Sequence, residues 1–544
     1  MKNKEIARVF KLLAQLMELH NENPFKIKSY ANAAFKIDKL DKTLSELNAE
    51  DIEKIDGIGK SIVAKIVELL SNGTIHDLNL LLEKTPEGVI EMLAIKGIGP
   101  KKVRTIWKEL EVETIGELLY ACNENRLISL NGFGEKTQAE AKKSIEFKIS
   151  NKGKFHYAVA EEIALRLIDF VKQKLIKVSP FEMVKPLISL TGEIRRKCEI
   201  VERIDLLVAS SETIDLTAFE NKTNIPLNII SCDEKDFYLK LFETTGNKEH
   251  IEKLQITDYR LQINSEEEIY AANGLQFIVP ELREGLNEIE LARKNQLPKL
   301  VEMVDLKGIL HIHTKYSDGI NSLEEMTICA KELGCEYIGI SDHSQTAVYA
   351  GGLKSEQIKS QHQEIDKLNA QLFPFKIFKG IEADILNDGS LDYDDEILKS
   401  FDFVIASVHS NLKMNKEKAN ERLLKAIENR HTTILGHPTG RLILSREGYP
   451  IDHKIIIDAC AEHSVSIELN ANPFRLDMDW RWINYAIEKG VKISINPDAH
   501  SKNGYADMYY GLCVARKGGL TKEMCFNAFS KEEMENYLNK RKRI

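Results

Sequence analysis

The feature that most constrains the fold is a regular alternation that begins at Asp305. Short apolar runs typical of buried β-strands are separated by stretches in which apolar residues recur at helical spacing. Strands that alternate with helices pair in parallel, so the alternation predicts a distorted, TIM-like α/β barrel. The runs are KGILHIH, YIGISDH, FKIFKGIEAD, FDFVIASVH, TTILGHP, VSIELNAN and VKISINPDAH.

Most of these runs carry histidines or acidic residues at their ends. In the His311-x-His313 pair both imidazoles face one side, because side chains alternate along a strand. The carboxyl ends of barrel strands open onto one face, so we expect groups that are distant in sequence to converge there. They are His311, His313, Asp318, Asp342, His343, Glu382, His409, His437, Asp498 and His500.

This set predicts a metal site. A lone histidine is more often a hydrogen-bonded surface or core residue, but burying so many ionisable groups without a cation would be very costly. Imidazole and carboxylate ligands together suit Zn²⁺, Mn²⁺ or Fe²⁺. Arg441 in HPTGR and Arg475 in NPFRLD are candidates to grip phosphate oxygens, and a structural salt bridge is the alternative for each.

The first 150 residues read as helical and contain three Gly-x-Gly turns in similar surroundings. Such a turn lets the backbone approach a phosphate, and the helix that follows points free N–H groups at the anion. One copy is equally a simple helix–helix turn, whereas three predict sequence-independent nucleic-acid binding. The candidate contacts are Gly57, Gly59, Lys60, Lys65, Gly97, Gly99, Lys101, Lys102, Gly132, Gly134 and Lys136.

The composition restricts the cellular setting. The formal net charge is −9, so contact with nucleic acid must come from local geometry and not from overall charge. The eight cysteines form no CxxC pair, which in a chain of 544 residues is typical of a reducing cytoplasm. The sequence shows neither a signal peptide nor an apolar run long enough to span a bilayer, so we expect a cytoplasmic protein.

Several stretches together carry a family resemblance: ENPFKIKSYANAAFKI, the repeated GIG hairpins, TGEIRRKCEIVERIDLLV, TGNKEH, PELREGLNEIE and the metal motifs. Over residues 1–544 the chain resembles bacterial family X DNA polymerases that end in a PHP (polymerase and histidinol phosphatase) domain. The resemblance implies an all-α helix–hairpin–helix region, an α+β nucleotidyltransferase-like palm and thumb, and the barrel. The implied segments are a lyase-like domain 1–80, a fingers-like domain 81–150, a palm 151–238, a thumb 239–292, a linker 293–304 and a PHP domain 305–544.

The resemblance also implies a ligand set and an activity. Sites of this family hold up to three metals on nine ligands, and the matching positions are His311, His313, Asp318, His343, Glu382, His409, His437, Asp498 and His500. The implied activity is a Mn²⁺-dependent 3′–5′ exonuclease or phosphodiesterase, with abasic-site endonuclease as a further activity. The expected partner is gapped, nicked or 3′-ended DNA, bound by a monomer.

The palm departs from the family pattern, in which three aspartates hold two Mg²⁺. The first position is Arg203, the second is Asp205 and the third falls on Asn228, while Gly192-Glu193 replaces a Gly-Ser turn that meets the triphosphate. Arg203 would repel Mg²⁺ and pair with Asp205. We therefore expect no Mg²⁺ at the palm and a lost or crippled polymerase activity, with the pair Arg195 and Arg196 still able to touch phosphate.

Alternatives remain open at this stage. Lys65 occupies the position of a Schiff-base lysine in related eukaryotic enzymes, and an electrostatic phosphate contact is the competing interpretation. The chain could instead be a working polymerase with an attached nuclease, or a non-catalytic module that binds DNA gaps. A small-molecule phosphatase shares the metal site but gives no reason for three hairpins.

Overall fold

The computed structural model describes residues 1–40, 42–55, 58–123, 126–178, 187–254 and 263–542. The chain divides into two compact units, Met1–Lys152 and Gly153–Ile544. None of the helices formed by the described residues has the length and apolar character needed to cross a bilayer. All eight cysteines are described, and they are free thiols.

The first unit is helical throughout its described part, as predicted. Its core is a single cluster in which Phe10, Leu13, Ile66 and Ile106 are fully buried. The helices are α1 (Asn3–Leu19), α2 (Pro24–Asp38), α3 (Ala49–Glu53), α4 (Lys60–Asn72), α5 (His76–Glu83), α6 (Glu87–Met92), α7 (Pro100–Leu110), α8 (Ile115–Asn123) and α9 (Glu135–Ser150).

The second unit begins with two small sheets packed on helices. Strand β1 (Phe155–His156) pairs antiparallel with β3 (Ile200–Val201). A second sheet has the order β2 (Ile188–Thr191), β4 (Ile204–Ala209), β5 (Leu227–Cys232), antiparallel and then parallel. The accompanying helices are α10 (Tyr157–Val178), α11 (Gly192–Arg195), α12 (Thr217–Glu220), α13 (Phe237–Thr245), α14 (Lys248–Leu254), α15 (Glu266–Ala272) and α16 (Glu288–Arg293).

The predicted α/β barrel follows. Within the described residues its sheet has seven parallel strands in the order β12 to β6. The strands are β6 (Gly308–Ile309), β7 (Tyr337–Ile340), β8 (Lys376–Asp384), β9 (Phe403–Ser407), β10 (Thr432–Leu435), β11 (Ser466–Asn470) and β12 (Ile493–Asn496). The helices are α17 (Leu323–Glu332), α18 (Ser355–Leu372), α19 (Asp395–Lys399), α20 (Lys416–Ile427), α21 (His453–Glu462), α22 (Ile483–Glu488), α23 (Met508–Lys517) and α24 (Lys531–Arg541).

A parallel bridge between Ile312 and Ala499 links the segment after β6 to the segment after β12, which brings the two ends of the sheet together. Inside, the Phe403 ring fills the space that glycines leave: a Cβ at Gly339 or Gly380 would lie 2.4 or 2.2 Å from it. Aromatic packing therefore closes one part of the interior, and the polar residues collect at the carboxyl ends of the strands.

The predicted linker 293–304 packs against the barrel. Leu300 forms a bridge to Thr521, and the buried Val301 donates its N–H to the carbonyl of Leu520 at 2.9 Å. This contact holds the segment that precedes β6 against the segment that follows α23.

Candidate metal centre and its surroundings

Glu382, near the end of β8, lies at the middle of the predicted ligand set and is fully buried. Its Oε1 lies 3.3 Å from His311 Nε2, 3.2 Å from His409 Nε2 and 3.0 Å from His437 Nε2. Its Oε2 lies 2.9 Å from His343 Nδ1. One carboxylate thus contacts imidazoles that follow four different strands, as the strand-end pattern predicts.

A second group adjoins the first through His313. The Nε2 of His313 lies 2.9 Å from Asp498 Oδ1, and its ring stacks 4.2 Å from the His500 ring. Asp318 Oδ1 lies 3.3 Å from His500 Nε2 and 3.6 Å from His343 Nε2. Asp498 has a φ of +53°, a left-handed conformation that a non-glycine residue adopts at a cost and that clusters at functional sites. The structure therefore brings all nine predicted ligand positions together.

Several ligand atoms in this cluster are buried and make no hydrogen bond of good geometry among the described residues, although His313 Nε2 and His343 Nδ1 each lie 2.9 Å from a carboxylate oxygen. They are His311 Nε2, His313 Nδ1 and Nε2, His343 Nδ1 and Glu382 Oε2. Orphaned buried polar atoms are costly, and a coordinated cation would satisfy them. Three groups have their potential ligand atoms within 4.8 Å of one another: His313, Asp318, His343 and His500; His311, His313 and Glu382; and His343, Glu382 and His409. The donor set fits divalent metals.

The electrostatics of the cluster match a ligand set. Burial, together with the neighbouring His343 and His500, lowers the pKa of His313 to about 3, so the ring is neutral with a free lone pair. Burial would also lower the pKa of His409, but the Glu382 and Asp384 carboxylates outweigh it and raise the pKa to about 10. The negative charge of these carboxylates is stabilised by nearby positive charge, which bound protons or metal cations can supply.

Two supporting carboxylates were missed by the sequence analysis. Glu468 on β11 is fully buried and contacts His311 Nδ1 at 2.6 Å, and it accepts the His437 backbone N–H at 2.7 Å. Asp384 contacts His409 Nδ1 at 2.6 Å. Such partners fix the orientation of a ligating imidazole. The available signal was Glu468 within the strand run SIELN, and Asp384 two residues after Glu382 in GIEAD.

Asp342, which precedes His343 in the run YIGISDH, contacts residues outside the predicted ligand set. Its oxygens accept from Thr314 N, Thr314 Oγ1, Ser317 Oγ and Gln361 Nε2, all within 2.7 Å. Burial raises its pKa to about 6 against the effect of these donors. Asp342 therefore holds the turn that presents Asp318 to the cluster.

The two candidate phosphate-binding arginines differ. Arg475 donates to Asp498 Oδ2 at 3.2 Å and so borders the cluster. Arg441 donates to Asp479 at 2.8 Å, to the carbonyl of Arg475 at 3.2 Å and to the carbonyl of Leu476. These contacts favour the structural salt bridge over phosphate binding for Arg441, because its donors hold the loop that carries Arg475.

In the small sheet, Arg203 and Asp205 pair as predicted. Arg203 Nε donates to both Asp205 oxygens, at 2.9 and 3.1 Å, and Asn228 Nδ2 donates to Asp205 Oδ1 at 2.6 Å. Gly192 lies so close that a Cβ there would be 2.7 Å from Asp205 Oδ2. The three aligned positions sum to zero charge, and the one carboxylate is occupied.

The basic pair Arg195 and Arg196 is not open to phosphate, which corrects the sequence expectation. Arg195 forms an ion pair with Glu266, at 3.0 Å to Oε1. Arg196 donates to Glu284 at 2.9 Å and to the carbonyl of Thr245 at 2.7 Å. Partners from the neighbouring helical region have neutralised both guanidinium groups.

The hairpins have the expected backbone. Gly97 and Gly132 have φ of +88° and +84°, and Gly59, Gly99 and Gly134 are the N-caps of α4, α7 and α9. Gly57 lies outside the described residues. Lys60, Lys101 and Lys136 are exposed in the first turns of these helices, whereas Lys102 donates to the carbonyl of Gly97 at 3.3 Å.

Lys65 is paired with acidic neighbours. Its Nζ lies 2.9 Å from Glu68 and 3.4 Å from Asp77. Burial would lower the pKa of Lys65, but these two carboxylates raise it above the ordinary value. An amine must be neutral to form a Schiff base, so these contacts favour the electrostatic interpretation of Lys65 over the lyase one.

Family models match three parts of the chain. A helix-hairpin-helix domain matches residues 1–75, a SAM-like helix-hairpin-helix tandem matches residues 89–140 and a PHP domain matches residues 310–472. The chain therefore joins helix-hairpin-helix modules to a PHP-type hydrolase barrel with metal-binding residue clusters.

Comparison with known proteins gives the family. The chain is 34% identical to the DNA polymerase/3′-5′ exonuclease PolX of Bacillus subtilis (strain 168) over 574 residues, covering 99% of this chain and 100% of that protein. The chain belongs to the bacterial PolX family.

Other similarities cover less than half of the chain. A probable phosphatase of Thermoanaerobacter sp. (strain X514) is 28% identical over 257 residues, 44% of this chain and 97% of that protein. Histidinol phosphate phosphatase of Lactococcus lactis, solved with zinc, L-histidinol and phosphate, is similar at a TM-score of 0.32 and 21% identity, over 40% of this chain and 94% of that one.

Proposed function

We propose that the chain is a Mn²⁺-dependent phosphodiesterase that removes nucleotides from DNA 3′ ends and has lost nucleotidyl transfer. The observation that carries this proposal is the convergence of nine imidazoles and carboxylates, with Glu382 at their middle and with buried ligand atoms that make no hydrogen bond of good geometry among the described residues. The nine would hold up to three divalent cations, with Zn²⁺ or Fe²⁺ as alternatives. When bound, clustered cations activate water and neutralise phosphate charge.

The protein's own groups prepare the site for this chemistry. Glu468 and Asp384 hold the His311 and His409 rings by their Nδ1 atoms, which leaves the Nε2 atoms free to ligate. Arg475 borders Asp498 and is placed to bind a phosphate oxygen. The Asp342 network fixes the turn before Asp318. These contacts pre-organise the metal ligands and the guanidinium group of Arg475.

DNA binding by the hairpins supports a polymeric substrate. Free N–H groups at the starts of α4, α7 and α9, with exposed Lys60, Lys101 and Lys136, suit phosphate oxygens of any sequence. The same proposal includes binding to gapped, nicked or 3′-ended DNA, cleavage at abasic sites, a monomeric state and a cytoplasmic location.

The name of the Bacillus subtilis relative joins two activities, polymerase and exonuclease, and the palm of this chain departs from the first. The exonuclease part agrees with the metal centre, whereas Asp205 here is paired with Arg203 and Asn228. A cation held about 4 Å from Arg203 would meet a repulsion of about 4 kcal/mol per unit charge at an effective dielectric near 20. We propose that this sheet now serves to position DNA.

The test is Mn²⁺-dependent shortening of a 5′-labelled single strand by the wild type and by Glu382→Gln. We expect a ladder of shortened products from the wild type and a loss of at least about 100-fold in the variant, because Glu382 contacts four imidazoles. Hydrolysis of a nitrophenyl phosphate ester without any cleavage of DNA would instead identify a small-molecule phosphatase.

A further inference from the structure

The loop between β7 and α18 places an exposed aromatic ring at the rim of the metal centre. Tyr349 is 70% exposed, and the adjacent Val348 is 82% exposed. The Tyr349 ring centroid lies 6.0 Å from that of His343 and 6.4 Å from that of His409. The side chains of Tyr349 and Val348 are thus exposed to solvent next to two predicted ligands. Packing in the core does not explain their position.

The loop itself is well braced. Thr346 donates its N–H to Asp392 at 2.7 Å and its hydroxyl to Asp384 at 3.0 Å. Ala347 donates to the carbonyl of Ser344 at 3.0 Å, and a Cβ at Gly352 would lie 1.8 Å from that same oxygen. Because Asp384 also holds His409, one carboxylate fixes both a predicted ligand and the loop. The backbone that carries the ring is therefore braced, which reduces the entropy cost of ordering the loop on binding.

The burial of the centre determines which form of DNA can reach it. His311, His313 and Glu382 are fully buried, so a phosphodiester must leave the surface of a duplex to approach them. Enzymes with recessed sites act on single strands or on extruded nucleotides. A nucleotide that leaves the duplex loses the stacking of its base, and an aromatic side chain restores that stacking whatever the base.

We propose that Tyr349 stacks on the unpaired base of the 3′-terminal nucleotide whose phosphodiester lies at the metal centre. This inference rests on the proposed nuclease function and names its substrate class: a single-stranded or frayed DNA 3′ end. Only one sugar separates a base from its own phosphate, and the Tyr349 ring lies at that short range from His343 and His409. Val348 adds apolar contact beside the base.

The kinetic test compares Tyr349→Ala and Tyr349→Phe with the wild type on a single-stranded 3′ end. We expect Tyr349→Ala to raise KM by roughly 10- to 100-fold with a smaller change in kcat, the range set by base–aromatic stacking, and Tyr349→Phe to keep the wild-type KM. On the same oligonucleotide with an abasic 3′-terminal nucleotide, the wild type and Tyr349→Ala should have equal KM values. Phe373→Ala is the matched control, because Phe373 is 81% exposed and precedes β8, at the opposite ends of the strands.

A binding measurement gives a readout that does not depend on turnover. An oligonucleotide with 2-aminopurine as its 3′-terminal base and phosphorothioate linkages should lose fluorescence on binding the wild type but not Tyr349→Ala. Unchanged quenching in Tyr349→Ala, or an equal rise of KM on the abasic strand, overturns the proposal. If the wild type cleaves no DNA, the nuclease function fails, and the quenching comparison still decides the role of Tyr349.

Discussion

Arg203 Nε, just before β4, donates to both carboxylate oxygens of Asp205, at 2.9 and 3.1 Å. Asn228, directly opposite Asp205 in the parallel β4–β5 ladder, adds a bond of 2.6 Å. A guanidinium and an amide thus both contact the one remaining carboxylate, and Arg203 balances its charge.

Restoring the carboxylates should restore metal binding at this sheet. In Arg203→Asp/Asn228→Asp, three carboxylates repel one another, at about 4 kcal/mol per pair near 4 Å, unless a cation joins them. We expect Mg²⁺ to raise the melting temperature of this variant well beyond its effect on the wild type. The control is Arg203→Ala, which frees Asp205 but supplies no added carboxylate. An equal Mg²⁺ response in all three proteins would contradict the account of the palm.

Loss of the buried Glu468 charge should weaken the metal centre. Because Glu468 holds His311 Nδ1 and the His437 N–H, we expect Glu468→Gln to lower metal affinity by about 10- to 100-fold. The metal content after dialysis against graded Mn²⁺ measures this effect. Glu488→Gln makes the same charge change at an exposed position of α22 and should retain wild-type loading. Equal loading of the two variants would exclude a role for Glu468 in the centre.

Substitution of Arg475 should affect catalysis, whereas substitution of Arg441 should affect stability. Arg475→Ala should lower kcat/KM by about 100-fold with little change in melting temperature, because one charged hydrogen bond to phosphate is lost. Arg441→Ala should cost about 1–3 kcal/mol of stability, because two carbonyls and Asp479 lose their donor. Thermal melts beside steady-state kinetics measure both effects. The assignment fails if Arg475→Ala is the less stable protein and Arg441→Ala is stable but inactive.

A pH-dependent stability should arise from Asp507, at the start of α23. Burial raises the pKa of Asp507 to about 6, above its unfolded value, so the ionised carboxylate destabilises the folded state. That cost is full above pH 6 and disappears as the pH falls below about 4. We expect Asp507→Asn to stabilise the protein by about 1 kcal/mol at pH 8 and not at pH 4. Urea unfolding at the two pH values measures the difference, and an equal gain at both would rule out this origin.

The barrel and the convergence of the polar strand ends were predictable because they depend on local periodicity, whereas the choice of nine ligands rested on the family resemblance. Polar residues at strand ends converge on one face whatever the connecting loops do, as the contacts of Glu382 show. The Arg203–Asp205 pair was predictable because both residues lie on one short segment. The contacts of Arg195 and Arg196 were not, because Glu266 and Glu284 lie far along the chain. Tyr349 carried no motif, and only the fold places its ring beside His343.

We propose that the protein is a nuclease that has kept its metal centre and lost its polymerase activity. The most direct test incubates the purified protein with Mn²⁺, a 5′-labelled gapped duplex and all four deoxynucleotides. We expect progressive shortening of the labelled strand with no product longer than the starting strand. Extension by even a few templated nucleotides would contradict the account, because the Arg203–Asp205 pair would then leave a working nucleotidyltransferase site.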